Sequence, residues 1–127
     1  TLAYEKVAVM AALNICHEAV KELQKQGIDV ELIDLRTIKP LDITTVLESV
    51  RKTHHLLCVE EGHYFSGISS EVAFQVMEHA FDELDAPIGR VCQKETPMPY
   101  SKVLEAETLP NVTRIIDATT SILEKSF

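Results

Sequence analysis

The stretch from Gly27 to Asp42, Gly-Ile-Asp-Val-Glu-Leu-Ile-Asp-Leu-Arg-Thr-Ile-Lys-Pro-Leu-Asp, constrains the fold more than any other part of the chain. Glycine has no Cβ to clash in the left-handed conformation that ends many helices, so Gly27 reads as a helix stop. Residues 30–35 are mostly apolar and of strand length. Pro40 fits the start of a helix but not its middle, and Asp42 is of a type that caps helix amino termini. Helix stop, buried strand, polar loop and helix start follow one another closely. That order belongs to an alternating α/β chain.

The rest of the sequence keeps the alternation. Behind a strand-like start at residues 1–4, Val9, Leu13, Cys16, Val20 and Leu23 recur at three- and four-residue steps and predict an amphipathic helix over residues 6–26. Ile43, Val46, Leu47 and Val50 give the helix after Asp42 its apolar stripe. Residues 55–59 predict a strand, and residues 69–84 a helix with Val72 or Ala73, Val76, Met77, Ala80 and Leu84 inward. A short fourth strand is expected at 88–92. The run Thr-Pro-Met-Pro-Tyr at 96–100 excludes helix and central strand. A short helix is expected over 101–107. Pro110-Asn111 then opens a last one, with Val112, Ile115, Ile116, Thr119, Ile122 and Leu123 on one side. The expected architecture is one α/β domain over residues 1–127, a three-layer α/β/α sandwich around a mainly parallel sheet. Loops after the strand carboxyl ends, at 36–39, 60–66 and 93–100, form the expected functional edge.

A net charge of −8 argues against nucleic acid, whose phosphates need clustered Lys and Arg. The acids are dispersed, as on a solvated surface, and favour a basic partner. Cys16, Cys58 and Cys92 lie far apart in apolar segments without a CxxC pair, which points to buried thiols in a reducing compartment rather than a redox site. No apolar run is long enough to span a membrane. Glu5 and Lys6 break the apolar start, so no signal peptide is expected, and the compartment expected is bacterial cytoplasm or an organelle matrix. A chain opening inside a core strand implies an upstream region.

Each candidate for chemistry has a plainer competitor. Gly62-His-Tyr-Phe-Ser-Gly67 precedes a helix as a phosphate loop does, but Ile68-Ser69 stand where that loop needs Lys and a hydroxyl. A turn with two permissive glycines explains it, and a bare helix terminus for an anion is the alternative. His54, His55, Cys58, Glu60, Glu61 and His63 are the one cluster of metal-ligand types. Along an extended strand His54 and Cys58 would stand roughly 13 Å apart, too far for one ion. Ser66, Ser69 and Ser70 lie near His63 without a Gly-x-Ser-x-Gly elbow, and Cys58 sits where burial would silence its thiol. Glu60 and Glu61 would need a substrate pocket to act as general acid and base; adjacent strand residues diverge. The residues alone assemble no active site.

Several segments, in order, resemble the β subunits of the thiamine-diphosphate-dependent decarboxylating component of pyruvate dehydrogenase. They are Gly27 to Asp42, Ser49-Val-Arg-Lys-Thr53, Val59-Glu-Glu-Gly62, Gly67 to Val72, Asp85-Ala-Pro, Arg90-Val91 and Thr96-Pro-Met-Pro-Tyr100. That family is related to transketolase, and this portion looks like the transketolase carboxy-terminal domain. Pro-Met-Pro-Tyr favours the pyruvate branch over the branched-chain one, with acetoin dehydrogenase and deoxyxylulose phosphate synthase as neighbours. The resemblance implies that thiamine diphosphate lies between an α subunit and the β subunit's amino-terminal domain, and that magnesium is held by α. No catalytic, cofactor or metal residue carries over to this chain.

What the resemblance does imply is assembly: with an α subunit, with a second β subunit, and with the basic peripheral binding domain of the dihydrolipoyl acyltransferase. Phe127 matches a phenylalanine ending among bacterial relatives, whose terminal carboxylate contributes to docking. Glu95, before Pro97, is the second acidic docking candidate. Such rim charges contribute about 0.5–1 kcal/mol each, mostly through on-rate. The contrasting reading is a stand-alone α/β domain that binds a small ligand at residues 60–67.

Overall fold

The structure is a computed structural model and describes residues 5–11, 15–35, 39–94 and 110–125. Among these residues, four strands and four α-helices follow in the order β1 (Glu5–Ala11), α1 (Ile15–Lys25), β2 (Ile28–Ile33), α2 (Ile43–Thr53), β3 (Leu56–His63), α3 (Ile68–Ala80), β4 (Gly89–Gln93) and α4 (Val112–Glu124). A 3₁₀ turn, Phe81–Glu83, follows α3. The strands form one parallel sheet in the order β2-β1-β3-β4.

Strand β3 shows why both faces of the sheet are covered. Successive strand residues point to opposite sides. Leu57 and Val59 enter a core with Cys16, Ala19 and Leu23 of α1 and Ile115 and Ile122 of α4. Leu56 and Cys58 enter a second core with Val46 and Val50 of α2 and Val72, Val76 and Ala80 of α3. The expected three-layer sandwich is present. Each fully buried Leu or Ile contributes about 1.5–3 kcal/mol, so the four-residue run Leu56–Val59 ties both layers to one strand.

The helix ends follow local chemistry. Gly27 adopts φ 82° after α1, as its lack of a side chain anticipates. Asp42 caps α2, its carboxylate accepting from the Thr45 amide at 3.2 Å and the Thr45 hydroxyl at 2.6 Å. These bonds, the hydroxyl's first, hold the Asp42 carboxyl below its ordinary pKa. Asn111 caps α4 by accepting from the Arg114 amide at 2.9 Å. His54 ends α2 in the left-handed region at φ 61°, a conformation that costs a non-glycine residue about 1–2 kcal/mol. Two bonds hold it there: its Nδ1 lies 2.7 Å from the Glu83 carbonyl, and its own carbonyl accepts from the Asp85 amide at 2.9 Å.

Several boundaries differ from expectation. Residues 6–11, assigned to a long first helix, belong to strand β1, and α1 starts at Ile15. A continuous apolar run suits a strand between two neighbours as well as it suits a helix, and periodicity does not separate them. Strand β2 sits two residues earlier than expected, and β3 runs on through Glu60, Glu61 and Gly62. The buried stripe of α3 is Ser69, Val72, Val76 and Ala80. Met77, expected inward, is 48% exposed because it lies one residue, about 100° of helix, beyond Val76. The expected loop at 96–100 and helix at 101–107 lie outside the described residues.

Ser49, on the buried side of α2, has a hydroxyl with no hydrogen-bond partner among the described residues. An unpaired buried hydroxyl costs about 1–3 kcal/mol. Ser49→Ala is expected to raise stability by about 1 kcal/mol, read as a higher urea midpoint at unchanged slope. A lower midpoint would show that the hydroxyl is bonded.

Candidate functional site

The carboxyl end of β3, the first turn of α3, the end of β4 and the start of α4 meet at one corner of the sheet. The register between β3 and β4 shifts between Val59 and His63. In that irregular stretch Glu60 turns toward α3. Its Oε1 accepts from the Ser69 hydroxyl at 2.8 Å and from the Cys92 thiol at 3.7 Å. Ser69 and Cys92 themselves stand 3.8 Å apart. Gly67 makes this possible. A Cβ there would collide with the Glu60 carboxylate and lie 2.6 Å from the His63 carbonyl. The glycine is needed for close approach rather than for its dihedral angles, since its φ is −74°. The left-handed residue of the turn is Ser66, at φ 58°.

Beside this knot, two arginines converge on Tyr64. Arg90 Nη1 donates to the Tyr64 carbonyl at 2.8 Å and to the Ser70 hydroxyl at 2.9 Å, and its guanidinium lies 5.2 Å from the Tyr64 ring centre. Arg114 Nη2 donates to the Tyr64 hydroxyl at 3.1 Å and to the Cys92 carbonyl at 2.7 Å. A cation in the first turn of a helix opposes the helix dipole. Arg114 stands in that position on α4, the one sequence signal that marks it as having a specific partner. Arg114 was not legible as a site residue, Tyr64 was legible only as part of the 60–67 loop, and Arg90 only as part of a motif.

Chemically the corner is a clamp. Burial pushes the Cys58 thiol up to about 12 and the Cys16 thiol up to about 11, and burial also raises Cys92. A protonated thiol is a poor nucleophile. Glu60 accepts neutral donors, and both arginines hold backbone and hydroxyl groups in place. The His, Cys and Glu residues of 54–63 point to different partners. His54 points to Glu83, His55 is buried with Nδ1 2.9 Å from the Thr53 carbonyl, Cys58 lies in the α2–α3 core, and Glu61 and His63 are exposed. Among the described residues no three His, Cys, Asp or Glu groups are placed to hold a metal ion. With Glu60 committed to Ser69 and Cys92, these residues do not fit magnesium or the activation of thiamine diphosphate. Glu95 and Phe127 lie outside the described residues. No helix among those described is long and apolar enough to cross a membrane.

The transketolase carboxy-terminal domain family matches residues 7–115, which include β1 from Val7 onward, strands β2 to β4 and the first turn of α4. The chain belongs to that family. It is 52% identical over 108 residues to the pyruvate dehydrogenase E1 component subunit beta of Rhizobium meliloti (strain 1021), covering 85% of this chain and 24% of the relative. It is 48% identical over 118 residues to the mitochondrial subunit beta of Drosophila melanogaster, covering 92% and 32%. The corresponding Dictyostelium discoideum subunit is 44% identical over 111 residues, covering 87% and 31%. The chain therefore spans a quarter to a third of the length of these relatives. A solved chain described as a split gene transketolase, inactive beta4 tetramer, superposes with a TM-score of 0.80 at 22% identity, covering 97% of this chain and 39% of that one. That likeness establishes the fold. The relatives favour a domain of an enzyme subunit over a stand-alone ligand-binding protein.

One substitution tests the clamp. Gly67→Ala is expected to cost about 2 kcal/mol, because the His63 backbone must yield. In Gly27→Ala, where nothing lies within 4 Å, only dihedral strain remains. Equal stability of Gly67→Ala and the parent would refute the close approach. The thiols give a pH dependence whose sign is fixed. Their folded pKa values are raised above 9.0, so the stability they contribute is full below pH 9.0 and lost as pH rises toward about 11 for Cys16 and about 12 for Cys58. The urea midpoint is expected to fall as pH rises from about 9 to about 11, and less steeply in Cys58→Ala. A parallel fall in both proteins would exclude Cys58 as a source.

Proposed function

We propose that this chain is the carboxy-terminal assembly domain of the β subunit of a pyruvate dehydrogenase decarboxylating component. The observation that carries the reading is 44–52% identity to such subunits over 85–92% of the chain. The corner of the sheet, built as a clamp, agrees with a supporting role. In the complete enzyme, thiamine diphosphate would supply the decarboxylation of pyruvate and transfer of the two-carbon unit to a lipoyl group, with cofactor and magnesium held outside this domain. Its own task is to pack against α and β partners and to receive the basic peripheral binding domain of the acyltransferase. The structural neighbour's description as a beta4 tetramer supports association between such domains. Relatives named mitochondrial, beside bacterial ones, support a matrix or bacterial cytoplasmic location. Glu95 and Phe127 remain the proposed docking residues.

Titration calorimetry of the chain with thiamine diphosphate and magnesium is expected to show no saturable binding. A micromolar dissociation constant would remove the assembly reading. Glu95→Lys and deletion of Phe127 are each expected to weaken capture of a basic peripheral binding domain about two- to fivefold at low salt, through a slower on-rate.

A further inference from the structure

Helix α3 buries one side and leaves a second apolar side uncovered. Phe74, Met77 and Phe81 are 61%, 48% and 60% exposed. Phe74 and Met77 are one turn apart on α3, and Phe81 opens the 3₁₀ turn that follows it. Met77 and Phe81 also line a groove of about 580 Å³ between α3 and the segment leading to β4, floored by Leu84, Ala86 and Ile88. Contiguous exposed apolar surface of this kind marks an interaction site more often than chance.

Charge decides the occupant. From Ile68 to Ile88 the chain carries Glu71, Glu78, Asp82, Glu83 and Asp85 and no Lys or Arg. Glu71, Glu78, Asp82 and Asp85 are exposed, as is His79, and Glu83 is half-buried facing His54. A second copy placed here about a two-fold axis would set acid against acid. A helix with an apolar stripe flanked by Lys or Arg would meet both features, its stripe in the groove and its cations on the rim.

We propose that the α3 groove is a docking site for a basic amphipathic helix of a partner protein. The proposal draws on neither Glu95 nor Phe127, and it stands or falls independently of the docking proposed for them.

The test uses the full chain and two labelled synthetic peptides of about four helical turns. Both carry leucines at i, i+3 and i+7; one has flanking lysines and the other glutamates. Fluorescence anisotropy is expected to show the lysine peptide binding at least about tenfold more tightly, with affinity falling as salt rises from about 0.05 to about 0.5 M. Met77→Ser and Phe81→Ser are expected to remove binding with the thermal unfolding temperature little changed, since both side chains are exposed. Should either fail to fold, Glu78→Lys with Asp82→Lys carries the test and should reverse the peptide preference. Equal binding of the two peptides, or binding of neither, overturns the proposal. So does sedimentation showing a dimer of the chain that Phe81→Ser dissociates while both peptides are inert, because a second copy then fills the groove.

Discussion

Burial of β3 on both faces is the constraint on which the remaining architecture rests. Leu56 and Cys58 face one helical layer, and Leu57 and Val59 face the other. A strand with apolar residues on both sides leaves surface exposed unless helices cover each side. Strands β1 and β4 flank it in parallel, so each connection must cross over, and the crossovers supply the covering helices. The clamp at the carboxyl end depends on the same strand. Glu60 reaches Ser69 and Cys92 because β3 continues past its core run and loses regular register there.

Much of this order was legible because the punctuation is local. Gly27, Asp42 and Asn111 act within one turn of where they stand, so their roles can be read from residue type. The first strand was not legible. Val7 to Ala11 is apolar at nearly every position, and what makes it a strand is its place between β2 and β3, a tertiary fact. The same limit applies to Met77. Helical periodicity locates a stripe but leaves its width to the neighbouring elements.

The corner cluster was less legible than the fold. Glu60 and Cys92 are 32 residues apart, Tyr64 and Arg114 are 50 apart, and no spacing rule connects them. The two glycines of the 62–67 loop look alike in sequence but differ in role. Gly67 admits a carboxylate, whereas a Cβ at Gly62 would meet the Glu60 side chain only at ordinary contact distance, 3.8 Å. Motif resemblance reached Arg90 and Gly67 without indicating what either holds. The family resemblance and the geometry are therefore complementary: one places the chain among known subunits, and the other shows that its polar residues brace.

The left-handed residue at the end of α2 has a consequence for how the molecule breathes. His54 is bonded through its ring to Glu83 and through its carbonyl to Asp85, so β3 and α3 leave and return to the same point. A segment closed at its base tends to open cooperatively rather than fray residue by residue. Here β3 stays pinned by the two cores, so the part able to open as a unit is α3, latched at the amino end of β3 and clamped at its carboxyl end. Loosening that latch would free the end of α3, while α1 and α4 kept their core on Leu57 and Val59 of β3.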